Sequence, residues 1–299
     1  MDGEHALRNF VLSYAAHHQA CNEFLGHAPG EGSRVHLLDV KSSTRDNPPR
    51  GEEICKISAG ILALVAVAEH SEEFERLMEL SEKYSGFVLP CLGVHPVQVD
   101  PSGEQRSATL QDLEAALPLI EKYKERLLAI GEVGLDFTPR FASTDAQKNE
   151  QRQVLIRQIE IAKQLDLPLN VHSRSAGRPT IKLLKEQGAE RVLLHAFDGK
   201  PSVAMEAVKA GFFFSIPPSI IRSEQKQKLV KQLPLESMCL ETDSPALGPV
   251  KQVRNEPKNV LVSCQYIAQV KGIPVEKVME VTTQNAFRLF PKLQKLMRL

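Results

Sequence analysis

Ionisable side chains of the metal-binding kind follow several apolar runs of this sequence, at the point where each run ends. They are His95 in GVHP, Glu132 and Asp136 in IGEVGLDF, His172 in NVHSR, His195 in HAFDG, and Glu241 and Asp243 in LETDSP. An ionised carboxylate in a dry interior costs several kcal/mol unless it is paired or bound to a cation. Because Glu132 and Asp136 interrupt an otherwise apolar run, we expect a divalent cation to compensate their charge.

Imidazoles combined with carboxylates suit zinc, manganese or a related ion, and a bridging carboxylate would allow two ions a few ångströms apart. A single strand histidine is more often a hydrogen-bonded residue than a ligand. The recurrence of such side chains at equivalent points of successive runs therefore carries the prediction of one shared site. The even spacing of Glu132 and Asp136, and of Glu241 and Asp243, places each pair on one face of a regular strand.

Glycines and arginines accompany these motifs. The glycines of EVGLD and HAFDG allow backbone or substrate to approach closely, or simply form a tight strand-to-loop turn. Arg174 follows His172 by two residues, and a guanidinium beside a metal centre is suited to holding phosphate. Arg178 is equally well explained as a solvated loop residue, and Arg254 in VRNEP is better explained so.

From residue 61 onward, short apolar runs alternate with segments of helical period. The strand-like runs are 61–69, 87–95, 127–136, 167–173, 191–197, 212–218 and 238–245. Helical segments separate them, and two further helices are expected around 259–271 and 275–289. Gly188 and Gly211 stand where helices should end. Repeated strand-then-helix order predicts an α/β protein with parallel strands and helical crossovers.

Seven strands would become an eight-fold TIM-type (β/α) barrel if one more strand precedes residue 61; an open doubly wound sheet is the alternative. Residues 1–57 differ from the rest, with the turn-rich GHAPGEGS and STRDNPPRG. RVHLLDV (34–40) is the one strand-like stretch there, and SYAAHHQAC is not predicted to be a buried strand. We therefore divide the chain into an atypical N-terminal segment (1–57), with a poorly ordered extension as the alternative, and a barrel (58–299).

The composition limits which binding partners and which cellular compartment are expected. The 37 basic residues balance the 37 acidic ones, so no global field attracts nucleic acid or a membrane, and any phosphate binding must be local. Five cysteines without a CxxC pair indicate reduced thiols. No leader-like N-terminus or apolar run of about 20 residues is present. A soluble intracellular protein of nucleus or cytoplasm, favoured as a monomer and without membrane association, is expected. EQKQKLVKQ (224–232) is interpreted as a solvated helix face.

The motifs GVHP, IGEVGLDF, NVHSR, HAFDG and LETDSP, in this order and spacing, resemble the TatD family of metal-dependent deoxyribonucleases over roughly residues 61–295. The resemblance implies an amidohydrolase-like barrel, a centre of one or two divalent ions (Zn, Mn or Mg), and hydrolysis of phosphodiester bonds in DNA, as a 3′-exonuclease or at abasic sites. With no tryptophan and four tyrosines for base stacking, DNA would be held mainly through its backbone.

The resemblance also implies roles for the individual residues. Glu132 would bridge two ions, His172 and His195 would hold one of them, and Asp243 would bind the other and help to deprotonate the attacking water. Glu132 and Asp243 would thus be catalytic. The remaining candidates would contact phosphate or support the ligands; they are His95, Asp136, Arg174 and Glu241.

One departure from the family pattern concerns the first strand. Family members carry a His-x-His motif there, and no such motif occurs in this chain: His17 and His18 are adjacent, and His36 is followed two residues later by leucine. We therefore expect the position built by Glu132, His172 and His195 to hold one ion, the position of Asp243 to be weak or empty, and activity to be impaired. A catalytically weakened or inactive barrel that acts as a binding protein is the alternative.

Overall fold

The computed structural model describes residues 13–15 and 61–297. Within these ranges the strands, in chain order, are β1 (Ser13–Ala15), β2 (Leu64–Val67), β3 (Val88–Leu92), β4 (Val97–Val99), β5 (Gln105–Ser107), β6 (Ala129–Gly134), β7 (Leu169–His172), β8 (Val192–Leu194), β9 (Phe213–Ile216) and β10 (Met238–Leu240). The helices are α1 (Phe74–Lys83), α2 (Leu110–Tyr123), α3 (Asp145–Gln164), α4 (Gly177–Glu186), α5 (Pro201–Val208), α6 (Glu224–Gln232), α7 (Val260–Lys271), α8 (Val275–Leu289) and α9 (Lys292–Met297).

Eight strands form one parallel sheet in the order β1-β2-β3-β6-β7-β8-β9-β10. The order follows the chain without reversal, whereas a doubly wound sheet reverses direction at a switch point. The barrel-type prediction is therefore confirmed and its rival excluded. A separate antiparallel pair, β4 with β5, lies between β3 and α2 and was not predicted, because three-residue strands are too short to show a period.

All seven predicted strand-like runs contain a strand of this sheet, and the expected eighth strand precedes residue 61. It is β1, which pairs in parallel with β2 through Ser13 opposite Leu64. Ser13–Ala15 belong to SYAAHHQAC, which was not predicted to be a buried strand, so the location of the eighth strand was not predicted. RVHLLDV (34–40), like the rest of the predicted N-terminal segment, lies outside the described residues.

Alternating residues of the strands belong to two separate apolar clusters. In β2, Leu64 and Ala66 pack in the cluster shared with the surrounding helices, while Val65 and Val67 pack in a second cluster. The second cluster also contains Phe290, beyond the end of α8. Both faces of the strands are therefore buried, as expected for a parallel sheet that curls around an interior and is covered by helices outside.

The strand β6 does not run regularly, and this determines where Glu132 points. Its register with β7 shifts between Ile130 and Val133, which are both in the helix-facing cluster. Glu132 therefore lies on the opposite, interior face, although an even spacing from Ile130 would have put it on the helix side of a regular strand. The even spacing used to predict a shared face for Glu132 and Asp136 consequently does not describe this strand.

Gly134 allows the close approach of β6 to β7 that glycine at this position was predicted to permit. Its φ is +141°, and a Cβ atom added there would lie 2.0 Å from the carbonyl oxygen of His172. A larger residue would force the two strands apart at the end that carries the polar motifs.

The helices have the ends expected from sequence. Gly188 and Gly211 follow α4 and α5 with φ of +64° and +81°, and the side chain of Thr144 accepts from the backbone of Gln147 to cap α3. Among the helices that the structure describes, none combines the length and the apolar character needed to cross a membrane.

Candidate metal centre

Glu132 is the residue on which the polar cluster converges. It lies on the interior side of β6 and is 2% exposed. Its Oε1 atom is 2.7 Å from His195 Nε2, 3.1 Å from His172 Nδ1 and 3.4 Å from His95 Nε2. Three imidazoles from different strand ends therefore meet one carboxylate oxygen.

The imidazoles also approach one another. His172 Nδ1 is 3.3 Å from His195 Nε2, and the ring centroids of His95 and His172 are 4.6 Å apart. Both nitrogens also face Glu132 Oε1, so each can either donate a proton to that carboxylate or, once deprotonated, present a lone pair to the shared space. Such a lone pair is what a cation binds.

The outer nitrogen of each imidazole has its own neighbour. His172 Nε2 is 3.2 Å from Asp136 Oδ2, and His195 Nδ1 is 3.6 Å from Glu241 Oε2. His95 Nδ1 is 3.1 Å from both the backbone N and the backbone O of Val97, so this backbone can support either tautomer. Carboxylate or carbonyl groups at the outer nitrogen are how proteins fix the orientation of metal-binding histidines.

The charges of the cluster stabilise one another. Burial raises the pKa of Glu132, but the charge of His195 and the hydrogen bonds of the imidazoles hold it well below its usual value. Burial lowers the pKa of His95, but the hydrogen bond to Glu132 and the charges of Glu69 and Glu132 outweigh it and raise the pKa to about 9. The pKa of His195 is likewise raised well above its usual value, with Glu132 outweighing burial.

Asp136 is ionised in the same way. Burial raises its pKa, but the hydrogen bond to His172 and the contacts with Thr138 lower it to about 2. Protons on His95 and His195, whose pKa values are raised, therefore balance the carboxylates. A cation that bound there would replace those protons, since metal ligands must be deprotonated.

The donor set fits a transition ion. It combines imidazole nitrogens with a carboxylate oxygen, and the distances between these atoms run from 2.7 Å for Glu132 and His195 to 3.4 Å for His95 and Glu132. Among the described residues, His95, Glu132 and His172 offer ligand atoms that all lie within 4.8 Å of one another. His95, assigned from the resemblance to phosphate or to ligand support, thus stands among the candidate ligands.

Asp243 and Glu241 follow β10, and both are buried. Glu241 accepts hydrogen bonds from the backbone of Ala196 (2.8 Å) and from Ser215 Oγ (2.7 Å) and lies beside His195; its support of the ligands stays a prediction. Asp243 has a φ of +57°. Within the part of the chain that the structure describes, neither Asp243 nor His195 is in the group formed by His95, Glu132 and His172, although His195 Nε2 lies 2.7 Å from Glu132 Oε1.

The two arginines considered for phosphate binding are exposed. Arg174 follows β7 and uses its backbone carbonyl to accept from Phe137. Arg178 pairs with Glu206 at 3.0 Å on the helical surface, which agrees with the solvated alternative.

Two glutamines of α3 support the site and were missed in the sequence. Gln151 hydrogen-bonds both the N–H and the C=O of Asp136 and also the carbonyl of Pro96, the residue after His95. Gln158 hydrogen-bonds the N–H and C=O of Val94. The available signal was their position: they lie seven residues apart, in register with the buried Val154, Leu155 and Ile159 rather than on the polar face of the helix.

Lys226 is a third residue that sequence reasoning misplaced. The interpretation of 224–232 as a solvated face holds for Lys228 but is wrong for Lys226, which is buried. The signal was again helical spacing, because Lys226 stands three and four residues before the buried Leu229 and Val230.

Comparison with known proteins places the chain among metal-dependent hydrolases. The model of the family described as TatD related DNase matches residues 33–291. The human protein named deoxyribonuclease TATDN3 is 76% identical over 240 residues, which are 80% of this chain and 88% of that protein. The uncharacterized metal-dependent hydrolase YabD of Bacillus subtilis is 34% identical over 233 residues, covering 76% of this chain and 86% of its own length.

Solved structures agree on the fold. A TatD homologue from Escherichia coli, YJJV, superposes with a TM-score of 0.68 at 25% identity, covering 78% of this chain and 88% of that one. A TatD-family hydrolase from Entamoeba histolytica gives a TM-score of 0.71 at 20% identity, with 95% and 98% covered. At that identity the second comparison speaks for the fold alone.

Proposed function

Since the chain belongs to the TatD-related DNase family, we propose that it is a metal-dependent deoxyribonuclease that hydrolyses phosphodiester bonds of DNA. The supporting observation is the convergence of three imidazole nitrogens within 3.4 Å of Glu132 Oε1. We propose zinc or manganese as the resident ion, with magnesium the less suitable, because nitrogen ligands favour transition ions over magnesium.

Glu132, His172 and His195 would hold one divalent ion, with His95 as a further ligand. A bound divalent ion lowers the pKa of water towards neutrality and offsets charge that develops on phosphate. The chain itself fixes the ligands through Asp136, behind His172, and Glu241, behind His195. The buried setting keeps these groups in one orientation before substrate arrives.

Asp243 would accept a proton from the attacking water. The water oxygen would then form a bond to phosphorus, the bond from phosphorus to the sugar oxygen would break, and the departing oxygen would take a proton from solvent water. Arg174 would contact a phosphate of the DNA strand, a role that its exposed position after β7 leaves open to it. Because the chain has no net charge and no tryptophan, binding would rest on such local backbone contacts.

The test is hydrolysis of end-labelled DNA by the purified full chain. Single-stranded DNA and a duplex with one abasic site are incubated with Zn²⁺, Mn²⁺ or Mg²⁺, beside Asp243→Ala and the exposed control Glu121→Ala. Product formed by the wild type and by Glu121→Ala, but strongly reduced in Asp243→Ala, supports the proposal. No product with any ion would favour a binding protein that has kept the barrel, and undiminished product from Asp243→Ala would remove Asp243 from the mechanism.

A further inference from the structure

Lys226 is a buried ammonium group next to the candidate centre. It lies in the first turn of α6 and is 7% exposed. Its Nζ donates to the carbonyl of Ala196 at 2.5 Å and is 3.4 Å from the carbonyl of Phe197. Both carbonyls belong to the turn that directly follows His195. A buried ammonium is costly unless its N–H groups are satisfied, and here the turn after β8 satisfies them.

Ala196, whose carbonyl accepts from Lys226, is also hydrogen-bonded through its N–H. Ala196 has a φ of +44°, a conformation that alanine rarely adopts, and its N–H donates to Glu241 at 2.8 Å. The other carboxylate oxygen of Glu241 is 3.6 Å from His195 Nδ1. The carboxylate of Glu241 thus accepts from the N–H of Ala196, and the ammonium group of Lys226 donates to its C=O. Ala196 directly follows His195, a candidate ligand.

We propose that Lys226 is a positioning residue for His195: together with Glu241 it fixes the turn after β8 and thereby sets the affinity of the Glu132, His172 and His195 group for a divalent cation. This inference rests on the proposed metal-dependent function. It assigns the first turn of α6 to the support of the centre.

A neighbouring contact points in the same direction. Gln225, the residue before Lys226, donates from Nε2 to the carbonyl of Gly199 at 2.8 Å. Two consecutive side chains of α6 therefore bind the segment between β8 and α5. Burial lowers the pKa of Lys226, while the charges of Glu241, Asp198 and Asp243 act in the opposite direction and favour the ammonium form.

The experiment measures cation affinity. Metal-free full-length chain is titrated with Zn²⁺, and separately with Mn²⁺, by calorimetry. Lys226→Met keeps an unbranched side chain that is one atom shorter, and it removes the charge and the donors. The matched control is Lys228→Met, on the same helix, where the lysine is exposed and lies 3.7 Å from Glu224. Loss of a residue that orients a ligand typically weakens metal affinity about 10–100-fold. We expect that loss for Lys226→Met and less than about a twofold change for the control.

A double-mutant cycle tests whether Lys226 acts through His195. In the His195→Ala background, adding Lys226→Met should weaken affinity by less than about threefold further, because the ligand that Lys226 positions is already gone. Full additivity of the two losses would overturn the inference. If His195→Ala itself leaves affinity unchanged, the proposed cation site fails; if it weakens affinity while Lys226→Met does not, the inference alone fails.

Thermal unfolding of each metal-free variant separates positioning from a general structural role. A lower unfolding temperature for Lys226→Met with unchanged cation affinity would contradict the inference. Should Lys226→Met not fold, Lys226→Gln, which keeps an N–H donor and lacks the charge, is titrated under the same criteria.

Discussion

The two parts of the polar site are built differently. The part formed by β6, β7 and β8 contains Glu132, His172 and His195, which lie within 3.3 Å of one another. Its histidines have carboxylates at their outer nitrogens. The part after β10 contributes Asp243, and the short helical turn Pro257–Asn259 that follows it along the chain lies against β1. The first part is assembled from central strands, whereas the second follows β10, which pairs with β9 alone among the described strands.

This contrast predicts that cation binding and catalytic turnover depend on different residues. Ligands held by central strands and by buried partners need little reorganisation to bind an ion. A carboxylate that would serve a second ion or the attacking water can be lost without disturbing them. Variants should therefore fall into two groups: those that empty the centre, and those that leave a bound ion but slow hydrolysis.

The largest effect is expected for Glu132→Gln. The carboxylate is the common neighbour of three imidazoles, so the uncharged amide should abolish stoichiometric cation binding and reduce hydrolysis by about 10³-fold or more. Elemental analysis after dialysis and a DNA hydrolysis assay check both. Glu121→Gln, an exposed change on α2, should behave as the wild type. A Glu132→Gln protein that still carries one tightly bound ion would contradict the assignment of the centre.

Asp243→Asn should slow hydrolysis without removing the bound cation. We expect one ion per chain to remain, since Glu132, His172 and His195 are untouched, while hydrolysis falls by about 10²–10³-fold because the proposed proton acceptor is lost. Metal content and rate are measured on the same preparation. Simultaneous loss of the ion would show that Asp243 belongs to the same coordination group as the histidines.

A smaller effect is expected when a ligand loses its outer partner. Asp136→Asn leaves His172 in place but replaces the ionised group 3.2 Å from its Nε2. Cation affinity should weaken about 10–100-fold, with hydrolysis recovered at high Zn²⁺ or Mn²⁺ concentration. A dose–response curve with the cation reveals this recovery. An activity loss that saturating cation does not reverse would assign Asp136 a direct role with substrate.

The smallest effect concerns two buried thiols. Burial raises the pKa of Cys239, on β10, to about 12, and it also raises the pKa of Cys91, on β3. At pH 8 a thiol with a pKa of 12 is roughly one part in 10⁴ thiolate, the reactive form. Labelling should therefore require local opening and become faster as pH rises.

The alkylation rates of Cys239 and Cys91 report how readily two parts of the sheet open. Among the described strands, β10 pairs with β9 alone, whereas β3 is flanked by β2 and β6. We expect Cys239 to be alkylated several times faster than Cys91, as measured by mass spectrometry of the separate peptides. Equal rates would indicate that the sheet opens as one unit.

Much of the fold was accessible from sequence because it is repetitive. The apolar runs and helical periods predicted seven strands and eight helices, and the count itself required another strand before residue 61. Its location was not predictable in this way: Ser13–Ala15 is three residues long, too short for any hydrophobic pattern to show. The hairpin of β4 and β5 was missed for the same reason.

The candidate site was predicted in part. Motifs at strand ends identified the ionisable side chains, because parallel strands bring their carboxyl ends to one edge. The grouping of His95 with Glu132 and His172 required coordinates, since the register shift in β6 redirects Glu132. Supporting residues such as Gln151 and Lys226 lie on helices that pack against the sheet, and contacts between elements leave no motif in the sequence.

The side chain of Gln151 has a consequence of its own. Its two N–H groups are shared among the carbonyls of Pro96 and Asp136 and the hydroxyl of Ser107, while its oxygen accepts from the N–H of Asp136. Glutamate has almost the same shape, but it would turn an oxygen towards those carbonyls. The orientation of the Gln151 amide therefore decides whether α3 attracts or repels the hairpin of β4 and β5 and the loop after β6.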